Sequence, residues 1–247
     1  MTDIDLAIIK QLRQTPSNQK LDSDIISMIN SSTLGIETLL FISTVIEHVK
    51  PRLILEFGSG LSTLFFARAL TSHDGATVYS IENSEFYFNK TKEAIAAYSN
   101  VKLFCCPIRP YQHKLKRFLT YDNSYLRRLP KGKMFDLILI DGPLANRYGR
   151  EATLYQVAPF VSSKTLILVD DANRHPEQTA IANWGKVWAD GLDLVYYPEL
   201  KKGLAVLQIK KALQQKKFPF GAREIYDSWR LTRKIQRQDK SRSANEN

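Results

Sequence analysis

Acidic residues end four short apolar runs of the sequence. Glu56 ends LILE, Glu82 ends VYSIE, Asp141 ends LILID, and the pair Asp170-Asp171 ends LILVDD. Such runs have strand character, and the carboxyl ends of parallel strands meet at one edge of a sheet, where open α/β folds bind ligands. Acids gathered at one edge repel each other unless a cation or hydrogen-bond donors lie among them. The pattern therefore predicts a ligand-binding cleft.

A glycine-containing turn follows the first of these acids. Gly58 and Gly60 permit backbone angles that other residues avoid, and they let a ligand approach the main chain without meeting a Cβ atom. Ser62 and Thr63 stand where they can cap the helix predicted next. A purely structural turn would have the same pattern, so both interpretations stay open on these residues alone.

The same residues discriminate between two nucleoside cofactors. A nicotinamide dinucleotide requires a third glycine and a helix N-terminus that accepts pyrophosphate, but Thr63 takes the glycine position and Glu56 adds negative charge. S-adenosylmethionine has no phosphate, and its sulfonium and ammonium groups are attracted to carboxylates. Glu82 ends the second strand, where a carboxylate can accept hydrogen bonds from both ribose hydroxyls. The residues therefore favour S-adenosylmethionine.

The spacing of apolar residues predicts the elements that position these groups. Helices are expected around residues 25–29 and 39–49, the second ending before Pro51. Strand-like runs then alternate with helix-length segments, which is typical of a parallel sheet covered on both faces. These runs are Leu53–Phe57, Thr77–Ile81, Val101–Phe104, Phe135–Ile140 and Thr165–Val169. Leu192–Tyr197 and Leu204–Ile209 are joined by a connection so short that they predict an antiparallel hairpin.

EFGSG, SIEN and the terminal hairpin resemble motifs of the class I S-adenosylmethionine-dependent methyltransferases, and the resemblance covers roughly residues 39–209. It implies that the glycine loop holds the methionine part of the cofactor, that Glu82 holds the ribose and that Asn83 lies beside the adenine. The implied cofactor-binding residues are Glu56, Gly58, Ser59, Gly60, Thr63, Glu82, Asn83 and Asp141.

IDG after the fourth strand and VDD after the fifth resemble the metal-dependent O-methyltransferases, particularly those that act on sugars and glycans. This resemblance implies that Asp141, Asp170 and Asp171 hold Mg²⁺ or another divalent cation. Oxygen ligands with open positions suit such hard cations, and a bound cation lowers the pKa of a substrate hydroxyl. The alternative is that Asp141 caps the next segment, Asp170 contacts cofactor or backbone, and Asp171 is solvated.

The candidate catalytic residues are Asp141, His175 and Arg147. Related sugar enzymes often have an acid or histidine soon after the IDG, but here the next residue is Pro143, so His175 is the substitute general base. Arg147 and Arg174 match an arginine pattern of glycan methyltransferase-like proteins and could hold an acidic or hydroxyl-rich substrate. Ordinary surface roles are the alternative for the histidine and both arginines.

Four tyrosines are expected in or near irregular connections beside the cleft, where they would contact an acceptor or pack the cap. They are Tyr111, Tyr121, Tyr125 and Tyr148.

The basic charge of the chain is concentrated at its C-terminal end. The formal net charge is +10, and residues 210–247 carry eleven Lys or Arg against four Asp or Glu, which gives +7. Such a tail can contact nucleic acid, an anionic membrane or an acidic partner, or it can be a solvated helix on which Trp229 packs back. No apolar run approaches the roughly 20 residues that span a bilayer, and the first residues lack a signal-peptide pattern, so we predict a cytoplasmic protein.

We therefore predict an α/β fold: a Rossmann-like, doubly wound, seven-stranded sheet, mostly parallel with an antiparallel final strand. Residues 1–50 would form an N-terminal helical cap, 51–210 the methyltransferase domain and 211–247 a basic helical or flexible extension. The predicted activity is methylation of an oxygen on a small molecule, sugar or glycan. Two alternatives are an RNA or protein methyltransferase that docks through the tail and a non-catalytic cofactor-binding or scaffold protein. The sequence is also compatible with a homodimer.

Overall fold

The structure is a computed structural model. It describes Gln11 and residues 21–31, 33–143, 149–188, 191–210 and 219–245, and the side chains of the last helix are described as far as Arg237.

Nine strands are present in the described part of the chain. They are β1 Leu53–Phe57, β2 Thr77–Glu82, β3 Val101–Cys105, β4 Ile108–His113, β5 Lys116–Tyr121, β6 Leu137–Ile140, β7 Leu166–Asp170, β8 Leu192–Tyr197 and β9 Leu204–Ile209. Seven of them form one sheet in the order β3-β2-β1-β6-β7-β9-β8. The five neighbouring strands β3, β2, β1, β6 and β7 pair in parallel, whereas β9 is antiparallel to both of its neighbours, β7 and β8. The predicted fold class and terminal hairpin are confirmed.

Helices flank this sheet. They are α1 Ser23–Ser27, α2 Ile36–Val49, α3 Leu61–Ala69, α4 Glu85–Ala94, α5 Gly149–Val157, α6 His175–Trp188 and α7 Ala222–Asn245. Short 3₁₀ segments lie at Asn123–Arg128 and Ala158–Phe160. The helix predicted before Pro51 is α2, which ends where Lys50 adopts a left-handed conformation with φ 49°. Among the described residues, no helix has both the length and the apolar character needed to cross a membrane.

Alternating strand residues divide the core into two layers. Ile54 belongs to a cluster that includes Ile42 of α2 and Leu64 of α3. Its neighbour Leu55 belongs to a second cluster that includes Trp184 of α6. Successive side chains of a strand point to opposite faces, so both faces of the sheet are covered by apolar side chains. The two apolar layers hold the sheet in place, and the predicted site residues lie at one edge of that sheet.

A two-stranded sheet was not foreseen in the connection between β3 and β6. Strands β4 and β5 form an antiparallel hairpin whose turn contains Lys114 with φ 51°. The usual hairpin signals are Asn-Gly or Asp-Gly, and this turn has neither, which explains why the sequence pattern missed it. Tyr111 is part of β4 and Tyr121 ends β5, so both belong to this hairpin rather than to an irregular connection.

The C-terminal helix α7 packs on this hairpin. The Trp229 indole N–H donates to the Leu115 carbonyl at 2.9 Å, and the Arg117 guanidinium lies 4.8 Å from the centre of the Trp229 ring. The Ser228 hydroxyl accepts from the Arg117 N–H at 3.2 Å. The prediction that Trp229 packs back onto the domain is confirmed. The division at residues 50 and 210 stays a prediction.

Candidate active site

A cleft of about 650 Å³ opens at the carboxyl edge of the parallel strands. Its lining comes from the loops after β1, β2, β6 and β7, from the connection between α1 and α2, and from β5. The predicted site residues among its lining are Gly58, Ser59, Gly60, Glu82, Asn83, Asp141, Asp171 and Arg174. The structure therefore brings most of the described candidates to one place.

The glycine loop has the conformation that its sequence indicates. Gly58 has φ 92°, and a Cβ atom there would lie 3.2 Å from the Gly142 nitrogen, so this turn packs directly on the loop after β6. Gly60 has φ 155°, and a Cβ atom there would have nothing within 4 Å. Few L-residues adopt these angles, which explains the need for glycine at both positions. The open space beside Gly60 lets a ligand approach the main chain.

Glu82 organises the glycine loop from the end of β2. Its Oε2 accepts from the Ser59 N–H at 2.8 Å and from the Ser59 hydroxyl at 3.2 Å. Its Oε1 accepts from the N–H groups of Asn83 at 2.7 Å and Ser84 at 2.8 Å. These four hydrogen bonds hold the carboxylate in one orientation. Glu82 thus presents a fixed anionic group to the cleft.

Glu56 and Thr63 lie beneath the loop rather than in the lining of the cleft. Glu56 is fully buried, and its Oε2 accepts from the hydroxyls of Thr63 at 2.6 Å and Ser80 at 2.7 Å. Thr63 Oγ1 also accepts from the Gly60 N–H at 3.0 Å, which caps α3 as its position indicates. Burial raises the pKa of Glu56 to about 7. The predicted direct contacts of Glu56 and Thr63 with the cofactor do not fit this placement; both support the loop.

Three aspartates meet on the other half of the edge. Asp141, Asp170 and Asp171 each bring one carboxylate oxygen within 4.8 Å of the others. Such a group of oxygen ligands could hold a hard cation. Asp141 has a side chain 22% exposed and lines the cleft, as Asp171 does, whereas Asp170 is buried outside the lining. Burial raises the pKa of Asp141 to about 6 and that of Asp170 to about 8.

An arginine that the sequence analysis missed joins these acids. Arg150, in the first turn of α5, has a side chain only 4% exposed. Its Nη2 lies 3.0 Å from both Asp141 Oδ1 and Asp171 Oδ2. The acidic edge itself is a signal, because it requires a compensating cation, but the sequence does not distinguish Arg150 from the nearby Arg147 and Arg174.

Tyr121 is one of the four tyrosines predicted beside the cleft, and it lies in the cleft lining. Its ring is buried to 1% exposure, yet the residue lines the cleft. Its hydroxyl has no hydrogen-bond partner among the described residues, and a Cβ atom on Gly142 would overlap it. A buried hydroxyl without a partner is costly, so a donor group directed at a ligand site is a functional candidate.

Other predicted residues lie elsewhere. His175 begins α6 rather than lying in a loop, and it is exposed and absent from the cleft lining. We therefore do not retain it as the general base. Tyr125 is fully buried, and its hydroxyl donates to Gln156 at 3.2 Å, so it is a packing residue. The candidates Arg147 and Tyr148 lie outside the described residues.

Part of the chain matches a known family in sequence. The family described as "Methyltransferase domain" matches residues 55–172, which contain the glycine loop and all the acids discussed above. No curated protein matches the chain significantly in sequence.

Solved structures share the whole fold at low sequence identity. Methyltransferase PaMTH1 from Podospora anserina, bound to S-adenosylhomocysteine, superimposes with a TM-score of 0.59 at 16% identity, over 83% of this chain and 94% of that one. O-methyltransferase TomG from Streptomyces achromogenes, in complex with S-adenosylmethionine, gives 0.58 at 12% identity, over 83% and 96%. An O-methyltransferase from Bacillus cereus, in complex with S-adenosylhomocysteine, gives 0.57 at 18% identity, over 83% and 97%. Residues 55–172 therefore match a methyltransferase-domain family, and the chain has the fold of these solved methyltransferases.

Proposed function

We propose that the protein transfers the methyl group of S-adenosylmethionine to a hydroxyl oxygen of a small-molecule or glycan acceptor. The observation that carries this proposal is the meeting of the glycine loop, Glu82 and Asp141 around one cleft of about 650 Å³. That volume suits a nucleoside cofactor together with a small acceptor. Solved structures with the same fold that are O-methyltransferases, one of them TomG, support an oxygen acceptor.

The cofactor would lie along the first half of the cleft. The main chain at Gly58, Ser59 and Gly60 would contact its methionine part, because the loop leaves open space beside Gly60. Glu82 would bind the ribose at Oε2, where a ribose hydroxyl would replace the Ser59 hydroxyl, whose 3.2 Å hydrogen bond is the longest of the four that Glu82 accepts. Asn83 would lie beside the adenine.

Exposed apolar side chains at the mouth of the cleft support the adenine assignment. Phe86 is 70% exposed and Tyr87 is 50% exposed, and both line the cleft close to Asn83. Their ring centres are 5.2 Å apart in an edge-to-face arrangement. Exposed aromatic rings provide flat apolar contact surface for a purine base.

When bound, S-adenosylmethionine supplies a methyl group on a positively charged sulfur, which an acceptor oxygen attacks as the carbon–sulfur bond breaks. Asp141 is the residue that we assign to accept the proton of the acceptor hydroxyl, because its carboxylate is partly exposed at the cleft floor. Tyr121, directly beside Gly142, would donate its unpaired hydroxyl to a ligand in the same place.

Two measurements test the proposal. Calorimetry with S-adenosylmethionine should give one binding site on the full chain. Release of S-adenosylhomocysteine should then be followed with phenols, catechols, monosaccharides and uronic acids as acceptors. Absence of cofactor binding would overturn the proposal. Binding without transfer to any acceptor, with or without divalent metal, would instead favour a non-catalytic cofactor-binding protein.

Helix α7 supports a second candidate function, methylation of an RNA or another anionic macromolecule. Cationic side chains at helical spacing share one groove with two aromatic rings, and the groove is lined by Ala222, Ile225, Tyr226, Trp229, Arg230, Arg233, Lys234 and Arg237. Phosphate contacts by such cations make binding strongly salt-dependent. Affinity for RNA that falls steeply with salt would favour this candidate, and acceptor turnover that is indifferent to salt would favour the small-molecule reaction.

A further inference from the structure

Arg150 connects the ends of two neighbouring strands. Its Nη2 donates to the Asp141 carbonyl at 2.7 Å and to Asp141 Oδ1 at 3.0 Å, and it also contacts Asp171 Oδ2 at 3.0 Å. Its Nη1 donates to the Asp170 carbonyl at 2.8 Å and lies 3.4 Å from Glu177 Oε1. One planar guanidinium thus contacts the loops after β6 and β7 together with the first turn of α6.

Two further cations approach Asp171 from the cleft side. Arg174 Nη2 lies 2.6 Å from Asp171 Oδ2 and 2.7 Å from Glu177 Oε1. Lys202 Nζ lies 3.5 Å from Asp171 Oδ1. Asp171 is only 2% exposed and therefore contacts three cationic groups at a buried position. Ion pairs at such a position are weakly screened by solvent.

These contacts decide whether the aspartates fit a divalent ion. Guanidinium keeps its proton in proteins, so Arg150 cannot relieve repulsion by losing charge. An ion ligated by Asp141 and Asp171 would lie within a few ångströms of the guanidinium that contacts both carboxylates, and like charges repel strongly where solvent is excluded. Moving Arg150 aside would break four of its contacts at a position that is 4% exposed. As arranged here, the residues do not fit a divalent metal.

We propose that Arg150 takes the place of the divalent cation in this methyltransferase site, as a fixed positioning residue that joins Asp141 to Asp171 and makes the protein independent of metal. This inference rests on the proposed function, because it concerns how the same cleft is organised. Arg150 orients Asp141 by contacting both its main-chain oxygen and its carboxylate. The Asp141 carboxylate then keeps a fixed direction toward the cleft without a bound ion.

The test is a titration of the full-length protein with Mn²⁺ alone, with free ion followed by electron paramagnetic resonance. We expect no stoichiometric Mn²⁺ binding by the wild-type protein. Arg150→Met removes the charge but keeps much of the apolar stem, so it should gain about one Mn²⁺ site, and added Mn²⁺ should raise its melting temperature. Arg68→Met is the matched control, because Arg68 also pairs with a carboxylate, Asp24, and this pair lies outside the cleft lining. It should gain no site.

The outcomes separate this inference from the proposed function. Stoichiometric Mn²⁺ binding by the wild-type protein, lost in Asp171→Asn, would overturn it, and so would a folded Arg150→Met variant that binds no Mn²⁺. If Arg150→Met does not fold, Arg150→Lys provides the comparison, since a lysine keeps the charge but cannot bridge the carboxylates as a fork. Its Mn²⁺ binding should stay absent while its melting temperature falls. Calorimetry with S-adenosylmethionine tests the proposed function independently of all these results.

Discussion

The two halves of the cleft satisfy their acids in different ways. At the ends of β1 and β2, the carboxylates of Glu56 and Glu82 accept hydrogen bonds from hydroxyls and main-chain N–H groups, and no Lys or Arg pairs with them in the described ranges. At the ends of β6 and β7, Asp141 and Asp171 contact Arg150. In the first half Glu82 lines the cleft without a paired cation among the described residues, whereas the protein itself supplies a cation to the acids of the second half.

The substitution with the largest predicted effect disrupts the second half of the cleft. Arg150→Met leaves the buried acids without their shared cation, and removing one partner of a buried pair costs about 3–5 kcal/mol in the free energy of unfolding. Urea denaturation measures this loss. Arg68→Met, which breaks a more exposed pair with Asp24, should cost about 1 kcal/mol or less. Equal losses for the two variants would show that Arg150 does not hold the cleft together.

A comparison of the same halves explains what the sequence could predict. The glycine loop and Glu82 follow local rules, since a strand, a glycine turn and an acid after the next strand are contiguous patterns with a fixed spacing. The seven-stranded sheet follows from alternating strand and helix lengths for the same reason. These parts were predicted closely, and β1 was predicted with its observed bounds.

The second half depends on contacts that spacing does not encode. Arg150 is one of several arginines after β6, and only the packing of α5 directs it at Asp141 and Asp171. Tyr121 reaches the cleft from the end of β5, and the β4–β5 hairpin was not predicted because its turn lacks a recognisable signal. Glu56 was correctly placed at a strand end, but whether its side chain enters the cleft or lies beneath it depends on the hydroxyls of Thr63 and Ser80.

A smaller effect comes from the buried acid of the first half. Burial raises the pKa of Glu56 from its ordinary 4.5 to about 7. The unfolded chain therefore releases this proton at lower pH than the folded protein, so the carboxyl destabilises the fold increasingly as pH rises from 4.5 to about 7. Glu56→Gln removes that dependence and should stabilise the protein at pH above 7 by up to about 3 kcal/mol relative to wild type.

The measurement for Glu56→Gln is the free energy of unfolding between pH 4 and 8, by urea denaturation. The difference between variant and wild type should grow with pH and then become constant. Glu224→Gln, which changes an acid at the exposed start of α7, is the control and should give no such rise. A difference that does not depend on pH would mean that folding leaves the pKa of Glu56 at its ordinary value.

Glu82→Ala should reduce cofactor affinity, because it removes both the acceptor assigned to the ribose and the carboxylate that orders the glycine loop. Removal of a charged hydrogen-bond acceptor costs about 1.5–3 kcal/mol, which is roughly a 10- to 100-fold weaker binding of S-adenosylmethionine. Calorimetry measures the change. Glu85→Ala is the matched control, because Glu85 is an exposed acid in the first turn of α4. Unchanged affinity in Glu82→Ala would remove the ribose assignment and, with it, the contrast between the halves.

Tyr121 lies where the two halves of the cleft meet. Tyr121→Phe tests whether the hydroxyl at this junction binds a ligand, and it has the smallest predicted effect. Its hydroxyl has no described partner, so its removal should leave the melting temperature unchanged or slightly raised. If the hydroxyl donates to a ligand, affinity for S-adenosylmethionine or for the acceptor should fall by about 1 kcal/mol, or roughly fivefold.

Tyr125→Phe is the internal control for this prediction, because the Tyr125 hydroxyl is buried and donates to Gln156 at 3.2 Å but lies outside the cleft lining. It should lower stability by about 1 kcal/mol and leave ligand affinity intact. Both substitutions remove a hydroxyl from a buried tyrosine ring. Lower ligand affinity in Tyr121→Phe and lower stability in Tyr125→Phe would assign the first hydroxyl to ligand binding and the second to the fold. If Tyr121→Phe instead destabilises the protein and leaves binding unaffected, the Tyr121 hydroxyl serves packing alone and the junction of the two halves has no donor of its own.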